Sequence, residues 1–132
     1  MEANGLRVER RQLALRKRAE YTAVYERGRN YANRLLTLKV APTPVRSDLS
    51  RFGYSVSKTV GKAVVRNRVR RRLKEIARLA GVRPGWDIVL IARSSTALAT
   101  YGELKEAALG LMEKARLTEV QDKRLPAQDR SQ

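Results

Sequence analysis

A chain of 132 residues carries 29 Lys and Arg against 13 Asp and Glu, a formal charge of +16, and such an excess repels itself unless a polyanion neutralises it, so nucleic acid is the leading partner class. Cys and His are both absent, which excludes thiol nucleophiles, disulfides, zinc-finger chemistry and an imidazole general base. The length suits one domain, no stretch approaches the roughly 20 apolar residues of a membrane span, and the opening MEANGLRVERRQ lacks a signal-peptide run; the expectation is a cytoplasmic protein.

Residues 1–12 are polar and without period, and 116–132 are similar, so both ends are expected to be flexible around a compact unit at 13–115. From Arg16 to Arg27 the positions Ala19, Tyr21, Val24 and Tyr25 keep helical spacing, and Gly28 stands where a left-handed residue would close the helix. Leu35–Val40 alternates, with Leu36, Leu38 and Val40 opposite Leu35, Thr37 and Lys39. The segment APTPVRSDLS breaks structure with two prolines. Arg51–Lys58 alternates again, Phe52, Tyr54 and Val56 opposing Gly53, Ser55 and Ser57, so the two runs are read as an antiparallel pair.

A basic helix follows, beginning between Thr59 and Arg66 and ending before Gly81. Its stretch Lys62–Arg78 holds eight basic residues and one acid, Glu75, yet Val65, Val69, Leu73, Ile76 and Ala80 form an apolar stripe. WDIVLIA, Trp86–Ala92, is an almost unbroken apolar run, which suits a strand covered on both faces. Thr100 with Glu103 reads as a capping box, and Tyr101, Leu104, Ala108, Leu111, Met112 and Ala115 as the buried stripe of a last helix. The whole predicts a single-domain α+β sandwich.

The basic helix carries the first functional signal. Solvated helices interleave Glu with Lys, whereas here Arg66 with Arg70 and Arg70 with Lys74 set like charges at i and i+4, which destabilises an isolated helix. Guanidinium forks bond phosphate oxygens bidentately, so a phosphate backbone would supply the compensation. Asn67, between Arg66 and Arg68, points away from the stripe and offers an amide that can read a base edge or ribose hydroxyl.

The ordered set SVSKTVGKAVVRNRVRRRLKE (Ser55–Glu75), LRKRAEYTAVYERG, ANR (Ala32–Arg34) and WDIVLIAR resembles the bacterial ribonuclease P protein subunit family over residues 13–115. The resemblance implies a fold like ribosomal protein S5 domain 2, order αβββαβα, with a left-handed βαβ crossover. It implies an accessory subunit, inactive alone, of a ribozyme that removes the 5′ leader from precursor tRNA, with catalysis by the RNA and its Mg2+, no membrane and no obligate protein partner. By position, Arg66, Asn67 and Arg68 would face the catalytic RNA, helped by Lys58, Lys62, Arg70 and Arg71. Tyr21 and Tyr25 would border a cleft for the single-stranded leader, with Lys39, Ser55 and Ser57 on its floor beside Thr37, and Arg16, Lys17 and Arg18 extending the path. Lys39 stands where some relatives carry an aromatic. Two other classes compete: a general RNA-binding module, for which leader length would not matter, and a protein-only nuclease, for which the sequence offers no acid cluster.

Overall fold

The computed structural model describes residues 13–45 and 49–118; of the ends expected to be flexible, 1–12 and all of 116–132 beyond Thr118 lie outside them. The elements in chain order are β1 (Leu13–Ala14), α1 (Arg18–Arg27), β2 (Arg29–Ala32), β3 (Leu36–Pro42), β4 (Arg51–Ser55), α2 (Ala63–Leu79), β5 (Trp86–Ala92), a 3₁₀ segment (Ser94–Leu98) and α3 (Tyr101–Lys114). The predicted α+β order is therefore present, preceded by the two-residue β1.

The five strands form one mixed sheet in the order β1-β4-β5-β3-β2. β5 is its centre, parallel to β4 and antiparallel to β3. This corrects the expected pairing of Leu35–Val40 with Arg51–Lys58: the two strands are not neighbours, because β5, an apolar run covered on both faces, lies between them and has its backbone groups paired on both edges. β4, α2 and β5 make a parallel strand-helix-strand unit. The second strand ends at Ser55 rather than Lys58. β2, which has no apolar alternation of its own, is an edge strand paired only with β3.

One face of the sheet carries the main core. Leu36, Leu38 and Val40 of β3, Phe52 of β4 and Ile88, Leu90 and Ala92 of β5 meet Val69, Leu73, Ile76 and Ala77 of α2 and Leu104, Ala108, Leu111 and Met112 of α3. The amphipathic reading of α2 thus holds, with Val65 and Ala80 at its partly buried ends. The Thr100–Glu103 capping box is formed, Glu103 N donating to Thr100 Oγ1 at 3.1 Å and Thr100 N to Glu103 Oε1 at 2.9 Å. Packing continues past Ala115, since Leu117 is buried and Thr118 bridges to Val82.

The other face carries α1 and a small second cluster of Leu15, Val24 and Val89 with Tyr21 and Ile91. Gly28 closes α1, but not as a left-handed residue: its φ of −83° and ψ of 160° are extended. Glycine is required there by proximity, because a Cβ would press on the Val24 carbonyl oxygen and lie 3.0 Å from that of Val40. The helix can turn straight into β2 only where the side chain is missing.

Candidate nucleic-acid interface

Strand register builds the floor of the α1 face in rows, since residues paired across strands share a side. One row holds Arg51 beside Asp87, the next Asn30, Lys39, Val89 and Gly53, and the third Ala32, Thr37, Ile91 and Ser55. In the third row Thr37, Ile91 and Ser55 are half-buried and Ala32 exposed, with Ile91 packed against the α1-face cluster.

Two tyrosines stand over this floor. The Tyr21 and Tyr25 rings are 6.5 Å apart with planes at 69°, an edge-to-face pair. Tyr21 lies against the backbone of Gly53, where a Cβ would come within 2.6 Å of the ring. Tyr25 is 41% exposed. The Lys39 ammonium is held between the Asn30 amide oxygen, 2.7 Å away, and the Tyr25 ring, 5.7 Å to the centroid. Lys39 is thus oriented into the cleft by its neighbours. Ser57 sits apart from the floor: it lies in the turn beyond β4, its hydroxyl 2.7 Å from that of Thr59.

Arg16, Lys17 and Arg18 are exposed at the start of α1. Cations there oppose the helix macrodipole, so they do not serve the helix. Glu20 does: its Oε1 accepts from Arg16 N at 2.7 Å and Lys17 N at 3.0 Å, and its Oε2 accepts from Arg51 Nη1 at 3.0 Å. Arg51 also makes a bidentate pair with Asp87, Nε to Oδ1 at 2.8 Å and Nη2 to Oδ2 at 2.7 Å. The backbone donors of Arg16 and Lys17, then the Arg51 charge, hold the Glu20 carboxyl below its ordinary 4.5. A lowered value means the stabilisation is complete above pH 4.5 and is lost as pH falls through the folded-state value. The difference in melting temperature between wild type and Glu20→Gln should therefore shrink as pH falls below 4.5, followed by circular dichroism. A constant difference across that range would show that the carboxylate charge is not what holds α1.

The basic helix lies on the opposite face of the sheet. Asn67, Arg70, Arg71, Lys74, Glu75 and Arg78 line a shallow depression on its outer side. Arg70 Nη1 donates to Asn67 Oδ1 at 3.1 Å, which leaves the Asn67 amide donors outward; Arg78 and Glu75 pair at 2.9 Å. Arg66 is half-buried, its Nε donating to the Gly61 carbonyl at 3.1 Å. Arg68 is directed elsewhere: its Nη2 donates to Ala97 O at 2.9 Å, as Arg72 Nη1 does to Ala99 O at 3.3 Å, tying the 3₁₀ segment to α2. On a helical wheel Arg68 and Arg72, at i and i+4, share one flank of the apolar stripe, apart from Arg66 and Arg70 on the other, but the wheel does not say what that flank meets. Lys58 and Lys62 are exposed in the turn between β4 and α2, so positive charge continues from the end of the cleft floor to the helix.

Residues 10–116 match the Ribonuclease P family. The chain belongs to the ribonuclease P protein family. A ribonuclease P protein component of Clostridium botulinum (strain Langeland) is 43% identical over 104 residues, covering 76% of this chain and 92% of the relative. The solved ribonuclease P protein of Staphylococcus aureus superposes with a TM-score of 0.73 at 26% identity, covering 81% of this chain and 98% of that one. That of Thermotoga maritima gives 0.69 at 27% identity, over 79% and 97%. The chain is thus the protein component of ribonuclease P, the endoribonuclease of tRNA 5′ leader processing, and is accessory to the RNA subunit.

Among the described residues no three or more Asp and Glu side chains gather where they could hold a metal. Glu20 and Asp87, the acids on the cleft face, are committed to Arg51. Among the described residues these acids do not fit a protein-held divalent cation. No helix of the described residues is long and apolar enough to cross a membrane.

Reading the sequence alone misses Gly53, Ile91, Asn30 and the Glu20–Arg51–Asp87 set. One signal was available: Asp87 inside an apolar run is a buried acid that needs a cation. Which cation could not be read without the strand order.

Proposed function

We propose that the α1 cleft receives the single-stranded 5′ leader of precursor tRNA while the outer face of α2 docks on the catalytic RNA. The observation that carries this reading is the Tyr21–Tyr25 pair above a small-residue floor, on the sheet face opposite the basic helix. Two RNA segments could then be held at once without competing for one surface. Aromatic faces stack unpaired bases of any sequence at about 1–3 kcal/mol each, and the half-buried Thr37 and Ser55 leave room for a backbone to pass. Lys39 supplies a phosphate partner, and Arg16, Lys17 and Arg18 continue the path. Along α2, Asn67, Arg70 and Arg71 are the docking residues, with Arg66, Lys58 and Lys62 at the near end; Arg68 contributes by holding the 3₁₀ segment beside them. The magnesium of the reaction is carried by the RNA, and the complex works in the cytoplasm.

The test assembles the protein with the catalytic RNA and measures precursor affinity as the leader is lengthened from zero nucleotides. The wild-type complex should bind more tightly as unpaired nucleotides are added, and Tyr21→Leu with Tyr25→Leu should remove roughly tenfold of that gain, about 1.4 kcal/mol. Affinity that ignores leader length in the wild type would turn the reading toward a general RNA-binding module.

A further inference from the structure

Two contacts, one residue apart on α1, meet two positions on one side of β4. Glu20 Oε2 accepts from Arg51 Nη1 at 3.0 Å, and Arg51 is itself fixed to the central strand by its bidentate pair with Asp87 at 2.7 and 2.8 Å. Tyr21, next in the chain, rests on Gly53, two residues beyond Arg51; a Cβ there would lie 2.6 to 2.7 Å from the ring's Cε2, Cζ and Oη. The Tyr21 hydroxyl reaches the Leu15 carbonyl at 3.4 Å, on the segment entering the helix. A polar tether and an apolar seat therefore fix the end of α1 that carries the first aromatic of the cleft.

We propose that Glu20, Arg51 and Gly53 are positioning residues that set the height of the Tyr21–Tyr25 pair above the cleft floor, and with it the grip on an unpaired RNA strand. The inference rests on the leader-cleft reading and names the parts that tune it. Dispersion between a base and a ring falls steeply with separation, a gap of about 0.5–1 Å forfeiting a quarter to a half of the attraction, so a small displacement of α1 weakens stacking without unfolding anything.

The two oxygens of Glu20 allow the tether to be cut alone. In Glu20→Gln the remaining oxygen still accepts from the Arg16 and Lys17 amides, while an N–H donor replaces the oxygen facing Arg51. In Gly53→Ala the new methyl meets the far end of a flexible ring, which can lift away. Binding of leader-bearing and leaderless precursor is compared in complexes assembled with the catalytic RNA. Each variant should cut the leader-dependent gain roughly three- to tenfold and leave affinity for the catalytic RNA unchanged. In a Tyr21→Leu background Gly53→Ala should add nothing, because the ring it displaces is gone.

If both variants keep the full gain while Tyr21→Leu with Tyr25→Leu loses it, the positioning role is wrong and the cleft reading survives. Retention of the gain in the tyrosine variant too would overturn both. A Gly53→Ala loss that persists undiminished in the Tyr21→Leu background would assign Gly53 to folding and sink the proposal. Should Glu20→Gln lose helix by circular dichroism, the Gly53 cycle decides.

Discussion

Arg51→Met lowers the free energy of unfolding by about 3–5 kcal/mol, seen as a fall in the urea midpoint with unchanged slope. The reason is what the substitution leaves behind. Asp87 is 2% exposed on the central strand, and both of its oxygens take their hydrogen bonds from Arg51. Without the guanidinium the carboxylate is left without its partner in a site that excludes water. Typical domains have only about 5–15 kcal/mol of stability, so a large share disappears. The pair itself need not be a net gain over apolar packing. Arg51→Met combined with Asp87→Leu should therefore recover most of the loss. A double variant as unstable as the single one would mean that the Glu20 link and the packing of the Arg51 stem, rather than the stranded acid, carry the effect.

The second large effect is on RNA. Replacing Arg66, Arg70 and Arg71 together by Ala should weaken binding of the catalytic RNA roughly a hundred- to a thousandfold, about 1 kcal/mol or a little more per guanidinium. Counterion release gives a second readout. Each lost phosphate contact should reduce the slope of log affinity against log salt by about 0.7–0.9, so the triple variant loses about two to three units. The fold should hold, because the buried residues of α2 are Val69, Leu73, Ile76 and Ala77 and removing like charges at i and i+4 relieves repulsion. The helix has no acid in its first turn and no side-chain cap, so packing maintains it, not its own charges. Arg68 and Arg72 are left in place because their loss would free the Ser94–Leu98 segment. An unchanged salt slope, or a molten triple variant, would show that the α2 arginines do not contact phosphate from a folded helix.

Much of this molecule is legible in one dimension. The spacing of Val69, Leu73 and Ile76 gives α2 and its buried side, Thr100 and Glu103 give the start of α3, and the unbroken run at Trp86–Ala92 gives the central strand. The charge excess points to nucleic acid, and the ordered motifs from Leu15 to Arg93 point to the family. Periods of 3.6 and 2 residues arise from local backbone geometry and survive in the sequence. Strand order and cross-strand register join residues far apart in the chain, and they leave no such period. Only the tertiary structure puts β5 between β3 and β4, so that Arg51 meets Asp87 and Gly53 lies where Tyr21 needs a missing side chain. It also decides what the flanks of α2 meet, Arg68 reaching a carbonyl of the 3₁₀ segment while Arg70 and Arg71 line the outer depression; a helical wheel separates the flanks but does not contain those neighbours. The tyrosine cleft and the basic helix fall on opposite faces of one sheet for the same reason: which side an element packs on is fixed by the pleat of strands distant in sequence, and by nothing within the element itself.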